Sequence, residues 1–102
     1  MTIGLRRAIS RILGNERPRE PIQIVVWGKP DCSLCDQAHA ILDKLSHEYA
    51  IVVTTKDVRS DPVALNRYQY MIPVVEIAGT PRLQGKVTEH WLRQELDDAA
   101  KP

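Results

Sequence analysis

Two cysteines, Cys32 and Cys35, are the only thiols in a chain of 102 residues, and they stand three apart in the run Lys29-Pro30-Asp31-Cys32-Ser33-Leu34-Cys35. Residues three apart on a helix have β-carbons roughly 5–6 Å apart, within reach of a disulfide after modest adjustment. So short a bridge closes almost no loop in the unfolded chain and is poorly suited to stapling a fold. What the spacing permits is reversible bridging: one thiolate attacks a disulfide and the neighbouring thiol resolves the mixed disulfide.

If a helix begins at Cys32, that sulfur is the nucleophile candidate, because free amides and the macrodipole at a helix N-terminus favour thiolate over thiol. Cys35, one turn further in, meets fewer amide donors and suits the resolving role. Lys29 adds a cation that favours the thiolate, while Asp31 and Asp36 oppose it where they face sulfur. A shift of one pKa unit is about 1.4 kcal/mol, within what a helix terminus and one ammonium supply. The same spacing is also half of a zinc site, but a complete site takes four ligands. There is no second Cys pair, and of His39, His47 and His90 only His39 lies near Cys35 in sequence, so no metal is expected.

The spacing of apolar residues supplies the elements that must hold the pair. Ile22, Ile24, Val25, Val26 and Trp27 form a β-branched run ended by Gly28 and Pro30, which predicts a strand buried on both faces. Leu34, Ala38, Ile41, Leu42, Leu45 and Tyr49 recur at helical spacing, with Asp31 as the expected N-cap. A second β-branched run, Ile51 to Thr55, makes strand, helix, strand a crossover with two parallel strands. Ser60 or Asp61 caps a short helix with Pro62 in its first turn, carrying Val63, Leu65 and Tyr68. A strand from Ile72 to Ile77, a turn over Ala78-Gly79-Thr80-Pro81 and a brief partner at Arg82-Leu83-Gln84 form an antiparallel hairpin. Thr88 caps a last helix reaching about Ala100, with Trp91, Leu92, Leu96 and Ala99 on one face. Trp27 and Trp91 are assigned to the core, His47 and His90 to solvent, and a tyrosine of Tyr68-Gln69-Tyr70 to core packing or to an aromatic wall beside a groove. The order describes an α/β domain, a four-stranded mixed sheet flanked by three helices, over residues 21–102.

Composition agrees with a single soluble domain: 43% of residues are hydrophobic, and 14 Lys and Arg face 13 Asp and Glu. A net charge of +1 gives no case for nucleic acid. No apolar run approaches the roughly 18–20 residues that span a bilayer and no secretory leader is evident, so the cytoplasm is the expected compartment. Residues 1–20 differ from the rest, with five Arg against Glu16 and Glu20. Ile3, Ala8 and Ile12, and Leu5, Ile9 and Leu13, recur at helical spacing before Gly14, Asn15, Pro18 and Pro21 break the pattern. This predicts a basic amphipathic helix and linker appended to the domain. Arg6, Arg7 and Arg11 suit contact with an anionic membrane surface, while a loosely packed extension is the plainer reading.

A Cys-x-x-Cys pair at a strand-to-helix junction inside a βαβ unit is a redox signal. Taken with Ile72-Pro73-Val74, the turn at Gly79 and the glycine at Gly85, the run from Lys29 to Cys35 with Asp36 and Ala38 resembles the thioredoxin-like superfamily, and within it glutaredoxin-like proteins. The resemblance covers Ile22 to about Ala100. It implies a thioredoxin-like fold with a cis bond before Pro73, and a groove where the backbone of Ile72 pairs with a bound peptide or glutathione. It also implies that Lys29 contacts the glycine carboxylate of glutathione. The chain departs from dithiol glutaredoxins in having Ser33-Leu34 where they carry Pro-Tyr. It also has one glycine and no acidic pair in Gln84-Gly85-Lys86-Val87-Thr88-Glu89, where Thr88 is the remaining candidate for the γ-glutamyl end. The expected function is a thiol–disulfide oxidoreductase, with Cys32 as nucleophile and Cys35 resolving. It would act on protein or glutathione mixed disulfides, with glutathione as co-substrate and no bound cofactor. The alternative is a redox-inert binding module that docks a partner in the same groove.

Overall fold

The computed structural model describes residues 20–101. The expected basic helix and most of its linker, through residue 19, lie outside them.

Strand β1 (Ile22–Gly28) runs through the middle of a four-stranded sheet of order β2-β1-β3-β4, where β2 is Ile51–Asp57, β3 Val74–Ile77 and β4 Thr80–Gln84. β1 pairs in parallel with β2, from Ile22 opposite Ile51 to Gly28 opposite Asp57, and antiparallel with β3, from Ile24 opposite Ile77 to Trp27 opposite Val74. Helix α1 (Ser33–Leu45) is the crossover between the parallel strands, and α3 (Glu89–Ala100) follows the β3-β4 hairpin. A 3-10 turn (Val58–Ser60) leads into the short helix α2 (Pro62–Tyr68).

Side chains alternate across a strand, so each face of the sheet gathers its own core. Ile24, Val26, Val75 and Ile77 pack with Ala38, Leu42 and Leu45 of α1 and Leu92 and Leu96 of α3, all with at most 3% exposure. Trp27 and Val74 turn to the other face, where Val58, Ala64, Leu65, Tyr68, Met71 and Ile72 close a smaller cluster. Fully burying one such Leu or Ile contributes about 1.5–3 kcal/mol, so the α1 and α3 side is the main source of stability. On the surface, Arg93 joins Glu89 and Glu48, and Lys44 reaches Glu89 at 2.9 Å, linking the two large helices.

Several local expectations are corrected. α1 is capped by Cys32, not Asp31, because Asp31 takes φ 60° in the preceding turn and cannot serve as the extended residue from which the helix starts. α1 also ends at Leu45, before the expected Tyr49, whose hydroxyl instead donates to Asp97 on α3 at 2.8 Å. Trp91 is 52% exposed rather than in the core, and Ala99 is exposed with it: the helix buries only the narrow stripe of Leu92 and Leu96. β3 begins at Val74, after the Ile72-Pro73 segment, and β4 starts at Thr80, two residues early. The turn there is two residues, Ala78 and Gly79, both left-handed with φ 53° and 85°, which matches the twist of a tight hairpin. Pro81 is tolerated because β4 is an edge strand.

Candidate functional site

The site forms where β1 ends and α1 begins. Gly28 closes the strand, Lys29 and Pro30 leave it, and Cys32 adopts extended backbone angles at the helix N-cap. An N-cap side chain must accept a hydrogen bond from an amide in the first turn. Here a sulfur takes the place of the usual oxygen: the amide of Cys35 donates to Cys32 Sγ at 3.1 Å. The positive end of α1 thus faces this sulfur. The two cysteines are joined as a disulfide, with Cα atoms 5.2 Å apart. Their surroundings differ, since Cys32 is half-buried while Cys35 is only 4% exposed.

Gly28 is a site residue that sequence reasoning passed over as a strand terminator. A β-carbon there would lie 2.8 Å from Cys35 Sγ, so the resolving candidate packs directly on the bare backbone of β1. The available signal was a glycine at the end of a core strand just before the cysteine run, but a strand end accounts equally well for a glycine.

Pro73 is fully buried, and the peptide bond before it is cis. The β1-β3 register ends with Trp27 opposite Val74, so Gly28 follows the last residue of β1 paired with β3 and Pro73 immediately precedes β3. Ile72 is half-buried in the smaller cluster. The segment is held from behind by Gly85, whose amide donates to the carbonyls of Met71 at 3.2 Å and Pro73 at 2.9 Å. Tyr68 packs against Trp27, with ring centroids 6.1 Å apart, while Tyr70 is 91% exposed.

Lys29 is exposed beside the end of β2, and its charge reaches Asp57. Asp57 is bound mainly by Arg59, whose guanidinium and backbone amide both donate to it, and Lys29 adds a smaller pull, so the carboxyl drops from its ordinary 3.8 to about 2. Thr88 is the N-cap of α3, its hydroxyl accepting from the amide of Trp91 at 3.2 Å. The structure therefore places Cys32 and Cys35 at the start of α1 with Cys35 against the end of β1, sets Lys29 one residue beyond that strand end and Pro73 just ahead of β3, while Thr88 has a capping role of its own. His39 faces Thr55 on β2, at 3.5 Å. Among the described residues no cluster of three or more His, Cys, Asp or Glu could hold a metal ion, and no helix is long and apolar enough to cross a membrane.

Residues 23–97 match the Glutaredoxin-like domain (DUF836) family. The chain belongs to this glutaredoxin-like family. No curated protein matches it. Among solved structures, the glutaredoxin-like chain is similar to protein Ne2328 from Nitrosomonas europaea, with a TM-score of 0.71 and 18% identity over 80% of this chain and 99% of that one. It is similar also to a mutant thioredoxin from Halobacterium salinarum, with a TM-score of 0.63 and 14% identity over 87% of this chain and 98% of that one. The crystal structure of the thioredoxin-like protein BC3987 shares 30% identity over 70% of this chain and 96% of that one, with a TM-score of 0.50. The fold of this glutaredoxin-like protein is thus thioredoxin-like. Its family, its fold and the Cys32–Cys35 pair together point to thiol redox chemistry.

Proposed function

We propose that this protein is a thiol–disulfide oxidoreductase in which Cys32 is the nucleophile and Cys35 the resolving thiol. The observation that carries the reading is the asymmetry of the pair: Cys32 sits at the N-cap with an amide donated to its sulfur, and Cys35 lies buried behind it. A donated N–H and a helix N-terminus both favour the charged form of a thiol, so Cys32 ionises first.

In the reducing direction, the Cys32 thiolate attacks one sulfur of a substrate disulfide, and the other substrate sulfur leaves as a thiolate that takes up a proton. Cys35 then loses its proton and attacks Cys32 Sγ, which forms the Cys32–Cys35 disulfide and releases the second substrate thiol. Two electrons have passed from the pair to the substrate, and two molecules of glutathione, oxidised to their disulfide, return the pair to the dithiol. The substrate class is a protein disulfide or a glutathione mixed disulfide. The half-buried Ile72 and the adjoining Pro73 form its docking edge, and Lys29 offers a cation to a substrate carboxylate. Thr88, with its oxygen committed to the helix cap, is a weaker substrate contact through its hydroxyl proton. A reducing compartment, the cytoplasm, suits this direction of reaction.

Equilibration in glutathione buffers, with thiols counted by mass spectrometry, tests the proposal. The pair should interconvert between dithiol and disulfide, at a potential between roughly −200 and −270 mV, the span from glutaredoxins to thioredoxin. A pair that stays in one state across the whole buffer series refutes the oxidoreductase reading. Cys35→Ser assayed on a glutathionylated substrate then separates the two substrate classes: turnover that survives on Cys32 alone supports glutathione mixed disulfides, and complete loss restricts the enzyme to protein disulfides.

A further inference from the structure

We infer that Gly28 is a positioning residue for the Cys32–Cys35 couple, its missing side chain forming the seat that Cys35 Sγ occupies in the disulfide. The inference rests on the proposed function and goes on to say what sets the balance between the two forms of the pair.

Glycine is required here by contact and not by backbone angle, since the left-handed glycines among the described residues are Gly79 and Gly85. A β-carbon at residue 28 would stand 2.8 Å from Cys35 Sγ and 3.3 Å from Cys35 Cβ, the first well inside the roughly 3.5–4.0 Å of favourable carbon contacts. Neither side has slack. Gly28 is paired with Asp57 of β2, and its neighbour Trp27 with Val74 of β3, so β1 is held from both edges. Cys35 lies within the first turn of α1, 4% exposed, and in the disulfide its sulfur is tied to Cys32.

Reduction changes this. Once the bond to Cys32 Sγ is broken, Cys35 Sγ can turn about Cα–Cβ to another staggered position. An added methyl group at residue 28 therefore penalises the disulfide more than the dithiol. In the exchange, two glutathione thiols become one glutathione disulfide while the pair accepts two electrons and two protons. Gly28→Ala should shift this equilibrium toward the dithiol by about ten-fold or more, which is a potential less negative by about 30 mV per ten-fold.

The experiment measures the glutathione equilibrium of wild type and Gly28→Ala, together with the melting temperature of each in oxidised and reduced form. A shift toward dithiol, with a greater loss of melting temperature in the oxidised form, is the expected result. Equal losses in both forms with no change in the equilibrium would assign Gly28 a purely structural role and overturn the inference. Should oxidised Gly28→Ala fail to fold, it is prepared under reductant as the dithiol. Folding there supports the inference, and failure there as well refutes it. A wild-type pair that never interconverts defeats the oxidoreductase reading instead, so the two failures are told apart.

Discussion

Gly85 offers a test of how the site is held from behind. Its φ is 68°, in the left-handed region, and a β-carbon there would meet nothing within 4 Å. Gly85→Ala therefore creates no clash, and its whole cost is the backbone penalty of a left-handed residue with a side chain, about 1–2 kcal/mol. For a domain of this size 1 kcal/mol lowers the melting temperature by roughly 4–8 °C, so the expected drop is roughly 4–16 °C. Asn tolerates this region better than Ala, so Gly85→Asn should lose less. Gly79, with φ 85° and open space around it, is the control, because Gly79→Ala meets the same backbone penalty at the hairpin turn. Only Gly85 donates its amide to the carbonyls of Met71 and Pro73. If the added strain is relieved by losing one of those bonds, about 1 kcal/mol, thiol exchange should slow by up to about five-fold in Gly85→Ala and not in Gly79→Ala. Stopped-flow exchange with a small aromatic disulfide, beside thermal unfolding followed by circular dichroism, measures both quantities. An equal slowing in the two variants, or an unaltered melting temperature in Gly85→Ala, would refute the reasoning.

Asp57 titrates at about 2 in the folded protein because Arg59 holds it ionised, against an ordinary 3.8, so its pairing contributes stability above about pH 4 that is lost as pH falls toward 2. Urea unfolding between pH 5 and pH 2 should show this loss, and Arg59→Ala should lessen it; an identical pH profile in the variant would contradict the assignment. Asp61 accepts from the amides of Val63 at 2.9 Å and Ala64 at 3.2 Å as the cap of α2, so Asp61→Ala should cost about 1 kcal/mol in urea unfolding. An unchanged denaturation midpoint would show that the packing of Ala64 alone holds that helix.

Much of the architecture was legible in the sequence because the apolar periods of the core elements are unambiguous. Ile24, Val25 and Val26 form one β-branched run ending at Trp27, and Ala38, Leu42 and Leu45 step along one helical face, so strand and helix follow from run and spacing alone. Asp61 and Thr88 were readable as caps because each is an oxygen-bearing residue just ahead of helical spacing. The cap of α1 was misread for the same reason: Asp31 is the better cap by residue type, yet its left-handed backbone removes it and leaves a sulfur in its place. Trp91 falls outside the core because the buried stripe of this helix is narrower than the apolar pattern suggests, limited to Leu92 and Leu96. Gly28 shows in the sequence only as a strand terminator, since the distance that gives it meaning belongs to a contact between a strand end and a helix turn.

That contact bears on how one short motif gives two sulfurs different surroundings, on which the proposed division of tasks rests. Three residues of separation make Cys32 and Cys35 neighbours but do not by themselves make them unequal. The inequality comes from the elements on either side: the helix start directs an amide to Cys32, and the strand end, by lacking a side chain, admits Cys35 to the interior. The first effect acts through charge and lowers the cost of a thiolate; the second acts through packing and favours the bonded position of the second sulfur. The two are separable in principle, so a change at Gly28 should move the dithiol–disulfide balance while leaving the pH dependence of Cys32 alkylation in the reduced protein nearly unaltered. A shift in that alkylation profile as large as the shift in the equilibrium would mean that the strand end also sets the charge of the first sulfur, and the division of labour argued from geometry would fail.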